Sequence, residues 1–249
     1  MLKDKIEIII TSYKRELLLL GLIKSINKIN YPISQVNIIL IIDGYKPKIK
    51  KIKKISKFKI KFIHNKTNRG PSYSRNIAIK NSKSEFLWFL DSDAKVENYQ
   101  IITNFLNLIK NTQLDGITGY YEKFENTLFV QNPISFKNKI HLEYFIKKKR
   151  FKFIKNHMFA LTSLFVEKKK FLSKFGYFDE KLRIKEDEEL ASRVNKNDRN
   201  FLFHKNCLVR HMTIKKNIDL ISHLKNVIEI RAYIIRKKKE KFFLYFLYY

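Results

Sequence analysis

Cysteine is nearly absent from this chain. Cys207 stands alone among 249 residues, which excludes an intramolecular disulfide framework and points to a reducing, cytoplasmic compartment. Long apolar runs are missing as well: no window reaches the length of a membrane-spanning helix. Lys3 and Lys5 precede only a short isoleucine run that Thr11-Ser12 interrupts, so no signal peptide is expected. Internal repeats and low-complexity linkers are also lacking. Acids are scarce, with 23 Asp and Glu against 52 Lys and Arg, a formal charge of +29. Such a surplus attracts nucleic acid, anionic lipid or phosphorylated substrates. The heavy use of Lys, Ile and Asn also matches AT-rich coding, so the total charge does not choose among these partners. Local blocks are more informative: Lys46 to Lys54, Lys147 to Arg150 and Arg236 to Lys239.

Enough apolar material is present for a core, since 45% of residues are hydrophobic and 14% aromatic. The length suits one sizeable α/β domain or two small ones. Apolar runs alternate with amphipathic segments in the N-terminal half, which predicts βαβ units around a parallel sheet. Strands are expected at Ile6 to Ile10, Val36 to Ile42, Ile60 to Ile63 and Glu85 to Leu90. Helices are expected at Glu16 to Lys28, Ser72 to Asn81 and Ile101 to Lys110, with Pro71 placed to start the second of these. Gly116 to Tyr121 reads as extended. Residues 123–156 carry few periodic signals and are expected to be loops plus a basic helix near 136–150. Further on, Phe159 to Val166 reads as a strand, Gly176 to Lys185 as a loop and Glu186 to Asn195 as an acid-led helix. Short strands are expected near 201–203 and 207–210. From about Asp219 a basic amphipathic helix leads to an aromatic-rich end.

The chemistry gathers at strand ends. Strand one runs into Thr11-Ser12-Tyr13-Lys14-Arg15, strand two into Asp43-Gly44, and the apolar run Phe86 to Leu90 into Asp91-Ser92-Asp93. In open parallel sheets ligands collect beyond the carboxyl ends of strands, so these clusters should converge on one crevice. Tyr13 offers an aromatic face for a base and Asp43 an acceptor for an imino proton. Asp91 and Asp93, spaced i and i+2, offer oxygens to a hard divalent cation. Arg75 and Asn76, on the helix after Gly70-Pro71, can reach the same mouth.

In this order, Ile8-Ile9-Ile10-Thr11-Ser12-Tyr13-Lys14-Arg15, Ile41-Ile42-Asp43-Gly44, Asn68-Arg69-Gly70-Pro71 with Arg75-Asn76, and Phe89-Leu90-Asp91-Ser92-Asp93 resemble the family 2 glycosyltransferases of the GT-A fold. The similarity continues through Gly176-Tyr177-Phe178-Asp179-Glu180, Glu186-Asp187-Glu188-Glu189-Leu190 and His211, spanning roughly residues 6–211. The resemblance implies a Rossmann-like three-layer α/β sandwich with a mainly parallel sheet. It also implies a catalytic domain over 1–215, leaving 216–249 as a basic C-terminal helix. Thr11, Tyr13, Arg15, Asp43, Arg75, Asp91 and Ser92 are then expected on the nucleotide, with Asp91 near the ribose. Asp93 is the expected ligand of Mn²⁺ or Mg²⁺, with Asp91 and His211 beside it. Asp187 is the implied general base and Glu186 its acceptor-side support. The expected reaction moves one sugar, with inversion, from a nucleoside-diphosphate sugar (UDP-sugar first) to a saccharide or lipid-linked saccharide of a surface glycan.

Several departures from the family pattern matter. Ile42-Asp43 replaces two consecutive acids, and Lys14 stands where Asn is usual. No Gln-x-x-Arg-Trp sequence exists, Trp88 being the only tryptophan, which argues against a processive polysaccharide synthase. The tail from Arg231 to Lys239 suits a helix on the anionic inner face of the plasma membrane, or one packed on the domain. A truncated reading frame would also end this way. Two competing readings are a basic nucleic-acid-binding protein with structural acidic clusters and a sugar nucleotidyltransferase. The first is weakened because most aromatics fall in core-like runs. The second wants a glycine-rich phosphate loop, and Thr11 to Arg15 contains no glycine.

Overall fold

The computed structural model describes residues 4–124, 127–131, 139–141, 153–156, 159–195, 198–212 and 225–237. Its first strand, β1 (Ile6–Ser12), lies between two parallel neighbours, β2 (Val36–Asp43) and β4 (Phe86–Asp91), and β3 (Lys59–Asn65) extends the parallel set beyond β2. Alternation along β1 decides which face each isoleucine serves. Ile6, Ile8 and Ile10 enter a core with Leu19, Leu22 and Ile23 of α1 (Glu16–Ile26), Ile52 of α2 (Ile49–Ile55) and Phe105 of α4 (Ile101–Lys110). Ile9 enters the opposite core with Ala78 and Ile79 of α3 (Pro71–Asn81), Phe171 and Phe175 of α5 (Lys168–Phe175), and Leu190 of α6 (Glu186–Ser192). Helices therefore cover both faces, as the patterning predicts for a three-layer α/β protein.

Beyond β4 the sheet becomes mixed, adding β11 (Ser163–Glu167), β6 (Gly116–Thr118), β12 (Phe201–His204) and β10 (Phe153–Asn156) in that spatial order. A second sheet holds β5 (Ala94–Lys95), β13 (Val209–His211), β7 (Tyr120–Phe124), β8 (Thr127–Gln131) and β9 (Lys139–His141). The stretch read as one extended segment, Gly116 to Tyr121, thus divides between two sheets. The break falls at Gly119, whose φ of 151° disfavours side chains and whose Cβ would come within 2.6 Å of Leu208 and 2.8 Å of Phe203.

Three further expectations are corrected. Phe159 to Thr162 is not strand: Ala160 N donates to Thr118 Oγ1 at 2.9 Å, and the chain turns before β11 begins. Helix α6 ends at Ser192 rather than Asn195, and Arg193 turns back to donate to the carbonyls of Phe175 and Tyr177. Most of the basic helix expected near 136–150 lies outside the described residues, and the described part, Lys139–His141, is strand. In the tail, helix α7 runs through 225–237 and the aromatic end lies outside the described residues. Among the described residues no helix is long and apolar enough to cross a membrane.

One buried acid sets the approach to β4. Glu7 Oε2 accepts from Ser82 Oγ, from Lys83 N at 2.9 Å and from Ser84 N at 3.3 Å, tying the α3–β4 turn to β1. This end of the sheet is opposite the strand ends that carry Asp43 and Asp91. Glu7→Ala removes the acceptor shared by the buried Ser82 hydroxyl and the two amides and should lower unfolding free energy by about 2 kcal/mol. Chemical denaturation checks the loss, and an unchanged midpoint would refute the tie.

Candidate functional site

The carboxyl ends of β1, β2 and β4 open into one cleft of about 970 Å³, and helix α6 supplies its far wall. Thr11, Tyr13, Arg15, Asp43, Arg75, Asp91, Ser92, Glu186 and Asp187 all line it, so nine of the expected site residues share one cavity, with Ser12 beside them. Asp93 and His211 sit behind this lining.

On the β1–β2 side, Tyr13 is 43% exposed, and its ring meets Tyr45 edge-on with centroids 6.4 Å apart. Tyr45 and Ser12 hydroxyls lie 2.7 Å apart, which fixes the rim. Lys14 adopts a left-handed backbone, φ 51°, and places its ammonium 5.2 Å from the Tyr13 ring centroid. Asp43 is buried and heavily used by the protein. Its Oδ1 accepts from Arg69 N and Asn65 Nδ2, both at 2.8 Å, and its Oδ2 from Gly70 N at 2.9 Å. It therefore staples the loop before α3 as well as facing the cleft, a duty its strand-end position did not reveal.

Asp91 and Asp93 diverge. Asp91 Oδ1 accepts from Arg75 Nη2 at 3.0 Å and Oδ2 from Thr162 Oγ1 at 3.1 Å. Asp93 turns its Oδ2 to Arg15 and to His211 Nε2, the latter at 3.6 Å. The pairing of β13 with β5, together with Met212 N donating to the Asp93 carbonyl at 2.8 Å, puts His211 there. Burial alone would raise the Asp93 pKa, but the hydrogen bond from His211 and the charge of Arg15 outweigh it and hold the carboxyl below its usual range. Asp93 Oδ1 is buried without a hydrogen-bond partner. Among the described residues no three or more His, Cys, Asp or Glu are grouped as a metal cage, Asp91, Asp93 and His211 included.

Arg75 joins the two walls. It is only 5% exposed, and it donates from Nη1 to Glu186 Oε1 at 2.5 Å while holding Asp91 through Nη2. It was expected on the nucleotide; here its guanidinium is committed to protein carboxylates and lies 5.7 Å from the Phe178 ring centroid. Next to Glu186, Asp187 accepts from Glu188 N at 2.8 Å. Desolvation first, and the Glu186 charge second, push its pKa up to about 6, against the pull of the Glu188 amide, Arg75 and Lys185. The helix-start position suggested ionisation at neutral pH, and a value near 6 keeps it mostly ionised there. Burial raises the value rather than letting the helix end lower it. Residues missed by sequence reasoning include Tyr45, on the rim, and Thr162, Arg183 and Val227, which line the cleft with no local motif to mark them.

The model for glycosyl transferase family 2 matches residues 7–176. A teichoic acid poly(glycerol phosphate) polymerase of Staphylococcus epidermidis is 31% identical over 136 residues, covering 53% of this chain and 16% of that protein. Among solved structures, S. aureus TarS 1-349 in complex with UDP-GlcNAc superposes with a TM-score of 0.65 at 18% identity, over 86% of this chain and 60% of that one. A mannosyltransferase from Pyrobaculum calidifontis, in complex with GDP-Man and Mn²⁺, gives 0.64 at 12% identity, over 87% and 59%. The chain thus spans only part of each of these proteins.

Arg75→Met would leave Asp91 and Glu186 without their shared counter-charge. It should cost about 3 kcal/mol of stability, as for other half-removed buried pairs. Arg75→Lys should recover part of that loss. Thermal denaturation of both variants checks this, and equal melting temperatures for Met and wild type would refute the bridge.

Proposed function

The chain belongs to glycosyl transferase family 2, and from that premise we propose that it transfers one sugar from a nucleoside-diphosphate sugar to a hydroxyl acceptor, with inversion. The observation that carries this reading is the placement of Asp187, ionised at neutral pH, on the same cleft as the strand ends of β1, β2 and β4. Tyr13 presents its exposed ring to the base, and Asp43 and Thr11 lie beside it. Arg15 and Lys14 face the diphosphate. The acceptor hydroxyl approaches Asp187, which takes its proton as the oxygen attacks the anomeric carbon. With the base on the far side from the leaving group, displacement is in line and the anomeric configuration inverts. The transition state is oxocarbenium-like, by analogy with glycoside hydrolysis.

A divalent cation fits this site in one respect: the unpartnered, buried Asp93 Oδ1, with His211 close by, offers a hard oxygen and an imidazole. Mg²⁺ and Mn²⁺ are commonly held by one or two protein groups plus substrate phosphates, so the lack of a three-residue cage is no obstacle. Mn²⁺ or Mg²⁺ at Asp93 and His211 would neutralise charge developing on the departing nucleoside diphosphate. Asp91, tied to Arg75 and Thr162, is better placed for the ribose. UDP-sugar is the proposed donor, in keeping with the UDP-GlcNAc in the TarS complex. The proposed acceptor is a saccharide or lipid-linked saccharide of a surface glycan, in keeping with the teichoic acid relative.

The outward face of α7 supports a peripheral membrane position on the cytoplasmic side. Ile228 and Ile235, seven residues apart and so on one face, are 67% and 56% exposed, with exposed Arg231 and Arg236 near them. The full chain should sediment with phosphatidylglycerol vesicles and not with phosphatidylcholine vesicles, and Ile228→Ser with Ile235→Ser should release it. Equal recovery with both lipids would remove this placement.

Asp187→Asn should cut transfer by about 10²- to 10⁴-fold. Donor affinity, read by UDP-induced thermal shift with Mn²⁺, should stay nearly unchanged. Because the base acts ionised, the wild-type rate should climb with pH to a plateau above about 6. Near-wild-type transfer by Asp187→Asn would unseat the base. Stabilisation by RNA alone, with none by UDP and Mn²⁺, would favour a nucleic-acid-binding protein instead.

A further inference from the structure

Helix α7 lies beyond residues 7–176, the segment matched by the family model, yet it reaches the cleft. Val227, in its first described turn, lines the same cavity as Lys185, Glu186 and Asp187. Farther along, the helix grips the base-bearing region through four polar contacts. Tyr233 Oη donates to Asp179 Oδ2 at 2.8 Å. Lys237 Nζ donates to the same oxygen at 2.6 Å and to Glu189 Oε1 at 2.7 Å. Arg231 Nε stands 3.7 Å from Glu188 Oε1. Ile234 is buried between these contacts.

We propose that α7 is a positioning element for the reaction, clamping α6 so that Asp187 is held at the nucleophile's end of the cleft. Two of the contacts fall on Glu188 and Glu189, the residues that directly follow Asp187. The Glu189 side chain is only 2% exposed, so a cation brought to it acts at low dielectric, where it is strongest. Arg193, just past the end of α6, already pairs with Glu189 at 2.6 Å. Lys237 adds a link of a different kind, because it joins α6 to a separate segment. Asp179 completes the clamp from the loop after α5. Its carboxyl is held down to about 2 because Lys237 and Tyr233 together outweigh its desolvation. Glu188 and Glu189 lie in the first turn of this seven-residue helix, as Asp187 does, so a brace on them bears directly on where Asp187 points.

This inference rests on the base assignment above, and water can serve as the nucleophile in testing it. UDP-glucose and UDP-N-acetylglucosamine hydrolysis with Mn²⁺ is measured on the full chain for Lys237→Met, Lys237→Arg and Tyr233→Phe. Amide hydrogen exchange is followed in α6 and, as a control, in α1. Lys237→Met should lower the hydrolysis kcat at least tenfold while the donor KM stays within about twofold. Lys237→Arg should restore kcat to within about threefold, and Tyr233→Phe should fall between the two. Amides of α6 should lose protection in Lys237→Met while those of α1 keep theirs. Unchanged α6 protection overturns the clamp, whatever the activity. So does a melting temperature lowered with kcat intact, or a donor KM that rises in step with the loss of kcat. A wild-type chain that hydrolyses neither sugar and gains no stability from UDP and Mn²⁺ overturns the transferase reading instead, and the exchange result then still decides the clamp.

Discussion

A guanidinium cannot shed its proton in a protein interior, so a buried arginine must be met by carboxylates. Arg75 takes one from each side of the cleft, Asp91 from the end of β4 and Glu186 from the start of α6. That shared charge holds a short helix against a strand end far from it in sequence. It also tempers the repulsion between Glu186 and Asp187, which are adjacent in sequence and could not both ionise easily in a desolvated wall. The helix that carries Asp187 is thus held against β4 by a residue on neither its own helix nor its own loop, and the Arg75 charge is one of the influences that oppose the rise of the Asp187 pKa.

The other acids follow the same rule. Asp43 is met by two loop amides, Asp93 by Arg15 and His211, and Glu189 by Arg193 and Lys237. Basic surplus is left for the surface. From Gly44 to Ser84 the chain contains no Asp or Glu at all, and the lysines of α2 and β3 there are exposed. Because β3 is an edge of its sheet, Lys59 and Lys61 also discourage pairing with another chain. A charge of +29 therefore coexists with a cleft lined by the carboxylates of Asp43, Asp91, Glu186 and Asp187.

The parallel strands were legible because apolar runs such as Ile6 to Ile10 can only be buried on both faces, and polar clusters mark where each leaves the sheet. Legibility failed where one backbone stretch serves two environments. Gly116 to Tyr121 reads as a single extended segment, yet it crosses between sheets at Gly119. Phe159 to Thr162 is as apolar as a strand, yet it turns so that Thr162 can reach Asp91. In the site, Tyr13 and Asp187 sit in local patterns that advertise them. Thr162 and Val227 have no such pattern, because they reach the cleft only once distant segments pack together.

By itself, the sequence determined which elements form and which ends of them carry polar chemistry, since periodicity and strand-end composition are local properties. Tertiary structure alone decided what each charge does. It assigned Arg75 to two carboxylates rather than to open solvent, separated Asp91 from Asp93, and brought α7 onto α6. The reason is physical: ionisation and hydrogen bonding depend on burial and on counter-charges within a few ångströms, and in this protein those neighbours come from distant parts of the chain.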